Sequence, residues 1–186
     1  MDFSHLGPKV LVSSGYNGSP MNSTEVVDLK SGKIFSMAPL GRRPGGATGG
    51  LLDELPVICG GDNDMIHSIA KDQSKFLGQL SVKRKYAASV VLSNNTLWVT
   101  GGYDQSLNDL KSTEIVTKDG QTSQGPELPL PLSRHAIVPL NSGAFILIGG
   151  YGGDSSPQQP ISMRRRRVGG QDPTSRREEV VILREC

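Results

Sequence analysis

Apolar residues in this chain come in short runs that stop at paired glycines. Leu97-Trp98-Val99-Thr100 ends at Gly101-Gly102, Val57-Ile58-Cys59 at Gly60-Gly61, and Phe145-Ile146-Leu147-Ile148 at Gly149-Gly150. A weaker copy, Val10-Leu11-Val12-Ser13-Ser14-Gly15, comes first. Runs this short predict strands, and the lack of alternation in Phe145–Ile148 predicts a strand covered on both faces. Two residues without Cβ then permit a sharp exit and a close approach of neighbouring backbone.

Between these markers one order of elements recurs. From Gly15 to Gly61, Gly102 and Gly150 the spacing is about 41 to 48 residues, within the range of repeat architectures. A polar turn such as Tyr103–Ser106 leads to a strand, Ser23-Thr24-Glu25-Val26-Val27 or Ser112-Thr113-Glu114-Ile115-Val116, with His67–Ala70 in the same place in the second unit. Polar turns at 28–32, 71–74 and 118–121 end these strands. Poorly patterned segments follow and finish in Leu- or Pro-rich pieces, Met37–Leu40, Leu77–Leu80 and Glu127–Leu132. Basic residues come next, at Arg42 and Arg43, Lys83 to Lys85, and Arg134. Strands at Ala87–Leu92 and Ala136–Leu140 then turn through Ser93-Asn94-Asn95 and Asn141-Ser142-Gly143 into the next glycine-ended strand, a hairpin signal. The expected fold class is all-β.

These features together resemble kelch repeats: the apolar strand ending in Gly-Gly-Tyr, the Thr-Glu-[Val/Ile]-Val strand, the Pro/Leu piece and the basic residue. The resemblance spans residues 9–153, and it departs from the family in lacking most of the later Tyr and Trp. It implies an incomplete kelch-type β-propeller of about three to four four-stranded antiparallel blades. That partial propeller is assigned to 1–153, with units at about 9–61, 62–102 and 103–150. The glycine-ended strand is expected nearest the axis. Residues 154–176 read as a basic, Arg-rich insertion or disordered loop. Residues 177–186 read as a strand of a truncated further blade, since Arg177–Leu183 resembles Asn22–Val27.

Composition narrows the function. Across 186 residues the apolar share is 35%, with 23 Gly and 12 Pro, which suits short strands and frequent turns. The net charge of +2 is concentrated in the last part of the chain, so the body carries no nucleic-acid footprint. Arg164–Arg167 reads as a solvated loop ahead of a nuclear-localisation or polyanion patch. No apolar run reaches the length of a membrane helix, and Met1–His5 lacks the start of a secretory signal. Cys59 and Cys186 form no metal spacing, and His5, His67 and His135 do not pair at ligand spacing. Gly45–Gly50 lacks the lysine and helix of a phosphate loop and reads as a flexible entry into a strand. The chain is therefore expected to be non-catalytic, with no cofactor, no metal and no membrane or nucleic-acid partner.

The resemblance implies that turns after the glycine pairs, and basic residues opening the next blade, contact partners. Here those are Tyr16, Asn17, Asp62, Asn63, Tyr103, Asp104, Tyr151 and Asp154, with Arg43, Lys85 and Arg134. An arginine at such a position can grip a carboxylate bidentately, so the expected partner is a protein or peptide with an acidic segment. The family reading is a non-catalytic protein–protein interaction module, the substrate-recognition part of a cullin ubiquitin ligase adaptor, in the cytoplasm. Its other partners would be its own missing blades or another domain, and alone it is expected to be unstable. Alternatives are a secreted or surface kelch propeller, favoured by the sequons at Asn22 and Asn94, and a propeller enzyme such as an oxidase or sugar isomerase.

Overall fold

The computed structural model describes residues 9–41, 44–53, 55–140, 144–152 and 182–184. Among them every regular element is a strand, so the fold is all-β. The first sheet holds β1 (Lys9–Tyr16), β2 (Pro20–Asp28) and β3 (Ile34–Ser36). The second holds β4 (Ala47–Leu52), β5 (Leu55–Gly60), β6 (Met65–Ile69) and β7 (Ser74–Gln79). The third holds β8 (Ala88–Val91), β9 (Leu97–Thr100), β10 (Thr113–Val116) and β11 (Thr122–Gln124). The fourth holds β12 (Ala136–Pro139), β13 (Ala144–Ile148) and β14 (Ile182–Arg184). Each is an antiparallel meander in chain order, and no sheet closes on itself among the described residues.

The glycine-ended strand does not lie innermost, contrary to the sequence expectation. β5, β9 and β13 are second in their sheets, and the closest meeting between sheets is made by the first strands, β8 touching both β4 and β12, with β4 also reaching β9. Even so, all four residues of β9 are buried, because the sheets on either side cover its two faces. Leu97 and Val99 join Leu52, Val57, Cys59 and Ile66 between the second and third sheets. Trp98 turns the other way, its ring 5.4 Å from that of Phe145 on β13, while its indole N–H donates to Thr113 Oγ1 at 2.9 Å.

Of the glycine run expected to be a flexible entry into a strand, Gly45 and Gly46 form the turn ahead of β4, whereas Gly49 and Gly50 lie within the strand itself. A Cβ at Gly50 would lie 2.7 Å from both Leu97 Cδ1 and Val91 Cγ2, so the third sheet occupies the space a side chain would need. Beside it, Thr48 and Ser89 bring their hydroxyls within 2.6 Å and link β4 to β8. At the far end of the same two sheets Lys118 pairs with Asp53 at 2.9 Å, and the Asp53 N–H donates to Asn95 Oδ1 at 3.1 Å. Among the described residues the first and fourth sheets have less such cover, with Val10, Val12 and Ile34 exposed on the first and Val138 and Ile148 on the fourth.

Candidate functional site

The glycine pairs end against the segment that opens the next sheet. Gly61 N–H donates to Arg84 O, and Gly102 N–H to Leu132 O, both at 2.8 Å. A Cβ at Gly60 would come within 2.8 Å of Arg84 O, and one at Gly101 would strike Leu132 O. Absence of side chains is therefore what lets one sheet dock backbone-to-backbone on the next.

One residue further on, Lys85 exchanges both main-chain hydrogen bonds with Tyr103, each at 2.9 Å, and Ser133 does the same with Tyr151, each at 2.7 Å. A further residue along, the main chain links three units in series: Arg134 N–H donates to Tyr86 O, and Tyr86 N–H to Gly46 O, both at 2.8 Å. Gly46, Tyr86 and Arg134 share a left-handed backbone, with φ of 76, 51 and 55°. That conformation is free for glycine and costs roughly 1–2 kcal/mol for the other two.

The side chains carried by this backbone converge. The Arg134 guanidinium carbon lies 4.6 Å from the Tyr86 ring centre and 5.6 Å from that of Tyr151, and Tyr86 lies 5.6 Å from Tyr103. Lys85 pairs with Asp62, and that hydrogen bond holds the lysine's pKa above its ordinary value. Asp62, Lys85, Tyr103, Asp104 and Leu107 line an open cavity of about 280 Å³. The surface is rich in rings and cations, with Arg134 and Tyr86 exposed.

Arg84 anchors this edge from below. Its guanidinium, 1% exposed with its residue, donates to Gly101 O at 2.8 Å, Ser112 O at 2.9 Å and Glu114 Oε1 at 2.8 Å. Glu114 in turn accepts from the Ser81 N–H at 2.7 Å. Thus the acid of the Thr-Glu-Ile-Val strand and one of three consecutive basic residues form a buried pair between the second and third sheets. The sequence singled out Lys85 of these three for binding and did not foresee the buried pairing of Arg84 with Glu114.

Of the residues singled out from sequence, Asp62, Lys85 and Tyr103 meet at one place, and Arg134 and Tyr151 at its neighbour. Lys85 and Arg134 are not equivalent, however. The hydrogen-bond register matches Lys85 to Ser133 and Tyr86 to Arg134, so Tyr86 is the residue that sequence reasoning overlooked. Aligning on Ala88 and Ala136, rather than on positive charge, gives that match. Asn63 and Asp104 close their own turns: Asn63 Oδ1 accepts from Met65 N–H at 2.9 Å, and Asp104 Oδ1 from Ser106 N–H at 2.8 Å and Asn108 N–H at 3.0 Å. Those amide donors, Asn108 foremost, hold the Asp104 carboxyl below its usual pKa. Asn17 is exposed in the β1–β2 turn of the first sheet, beside Tyr16. Arg43 and Asp154 lie outside the described residues.

Two buried titratable groups lie near this edge. With the Thr100 hydroxyl donating to Ala88 O at 3.3 Å, its oxygen accepts from His135 Nε2 at 2.8 Å. Burial pushes the His135 pKa down to about 4, which keeps the ring neutral. Burial also pushes the Cys59 thiol up to about 12, away from nucleophilic or metal-binding thiolate. Among the described residues no three His, Cys, Asp or Glu side chains cluster at metal-binding distance. No family model and no curated protein matches this chain.

Proposed function

We propose that the chain is a segment of a kelch-type β-propeller, a non-catalytic module that binds an acidic protein segment at its glycine-pair edge. The observation that supports this reading is the stacked set Tyr103, Tyr86, Arg134 and Tyr151, carried by main-chain hydrogen bonds between successive sheets. Rings and arginine are the residue types that dominate binding energy at protein interfaces, and a rigid backbone lowers the entropy lost when they are engaged. The guanidinium lies over a ring face, which leaves its N–H edge for a carboxylate. Substrate recognition for a cullin ubiquitin ligase, in the cytoplasm, is the finer form of the same proposal.

The test is selection from a displayed library of peptides rich in Asp and Glu. The wild-type chain enriches acidic peptides, and Arg134→Ala weakens their binding at least about tenfold, the scale of a hot-spot residue. Failure to enrich any acidic peptide, or equal binding by Arg134→Ala, refutes the reading.

A further inference from the structure

The link after the glycine-ended strand differs between units. Between β5 and β6 it spans only residues 61–64, whereas between β9 and β10 it spans 101–112. The added length is a fixed loop. Its ends are tied where Tyr103 bridges to Asp109 and where Leu110 N–H donates to Gly102 O at 2.8 Å. Inside it, Asp104 N–H donates to Asn108 O at 3.0 Å, and the Asp104 carboxylate accepts from the Ser106 and Asn108 amides. At its tip Leu107 has a φ of 64°, a left-handed conformation that glycine or asparagine adopts readily and leucine only at a cost. That strain brings little burial in return, since Leu107 is 74% exposed. A strained residue that the fold itself does not use points to function.

We infer that Leu107 is an apolar anchor for the partner segment, seating a large aliphatic or aromatic side chain against itself and Tyr103 in the open cavity of about 280 Å³ that both line. This rests on the acidic-segment reading and adds the second half of the recognition motif. The cavity's charged groups are largely engaged already: Asp62 holds Lys85, and the Asp104 carboxylate is taken up by its own loop. What remains for an occupant is the leucine, the tyrosine ring and the aliphatic stems of the lysines. Lys83, on the same wall, forms no ion pair among the described residues, which favours acidic over basic neighbours around the apolar residue. Continuity with the arginine sets the spacing. The Arg134 guanidinium carbon is 4.6 Å from the Tyr86 ring centre, and that ring is 5.6 Å from Tyr103. An extended segment advances about 3.3 Å per residue, so its apolar side chain falls about three or more residues from the acid that Arg134 grips.

The experiment pans a displayed peptide library, rich in Asp and Glu and otherwise random, against the full chain. Acidic peptides should emerge with a Leu, Ile, Met or Phe at one fixed distance from the acid. Replacing that residue by Ser should weaken binding at least about tenfold, the scale of one buried aliphatic side chain. Leu107→Asn should weaken the selected peptide by the same factor and lose nothing further with the Ser peptide, as expected of two groups in contact. It should also raise the urea midpoint of the chain, because asparagine accepts the conformation and little buried contact is given up. Acidic peptides enriched with no apolar preference, or bound equally by Leu107→Asn, overturn the anchor and leave the acid-binding reading standing. A lowered midpoint overturns it as well, by showing that Leu107 serves the chain's own packing. So does self-association of the free chain that Leu107→Asn abolishes, since a second copy is then the occupant. No enrichment of acidic peptides removes both readings.

Discussion

Arg84 and Glu114 illustrate how a buried ion pair constrains a site without touching a ligand. Removing only the cation leaves Glu114 desolvated with its amide donors alone, so Arg84→Met should destabilise the chain by about 3–5 kcal/mol in urea titration. Adding Glu114→Leu should recover most of that loss, and a double variant no better than the single one would show that packing, not charge, dominates. His135 makes a pH prediction. Its folded pKa of about 4 lies below the ordinary value of 6.5, so above pH 6.5 it is neutral in both states and contributes nothing to pH dependence. As pH falls below 6.5 the unfolded chain takes up a proton that the folded ring refuses, and stability drops by about 3 kcal/mol down to pH 4. His135→Gln should therefore lose about 3 kcal/mol less than wild type over that interval in parallel denaturant titrations. Equal losses would assign the effect to other groups.

At the scale of the element, β4 shows how far composition can mislead. Gly49-Gly50 has the appearance of a loop, yet the strand β5 paired beside it fills the space at Gly49 and the third sheet fills the space at Gly50. Gly50→Val should overpack the junction against Leu97 and Val91 and cost about 1–3 kcal/mol, read from the denaturation midpoint. Unchanged stability would show that the sheets can move apart freely. The strands legible in the sequence, β1, β2, β5, β6, β8, β9, β10, β12 and β13, are those with apolar runs, the Thr-Glu signature or its counterpart at His67–Ala70, or the apolar segments Ala87–Leu92 and Ala136–Leu140 that follow the basic residues. β3, β7 and β11 were not resolved as strands, because they are short or largely exposed and little apolar periodicity is required of them. The site was half legible. Tyr103 and Tyr151 follow from the glycine pairs, whereas Tyr86 was hidden because equivalence there is set by backbone geometry and the residue types differ.

Across the whole molecule, cover is uneven. Sheets two and three are packed on both sides, while apolar side chains of the first and fourth lie open. Hydrogen exchange should follow that gradient, slowest at β5 and β9 and faster at β1, β3 and β12, because local opening tracks the apolar contacts broken. Uniform protection across all four sheets would contradict it. The series Gly46, Tyr86, Arg134 has a consequence for variation. Its hydrogen bonds run through main-chain atoms alone, so the scaffold is indifferent to which side chain each unit displays, within limits set by φ. Glycine, asparagine and unbranched residues are admissible there; valine, isoleucine and threonine are excluded by steric conflict at positive φ. New specificities could thus be written at these addresses one unit at a time, in a restricted alphabet, with the rest of the fold left as it is.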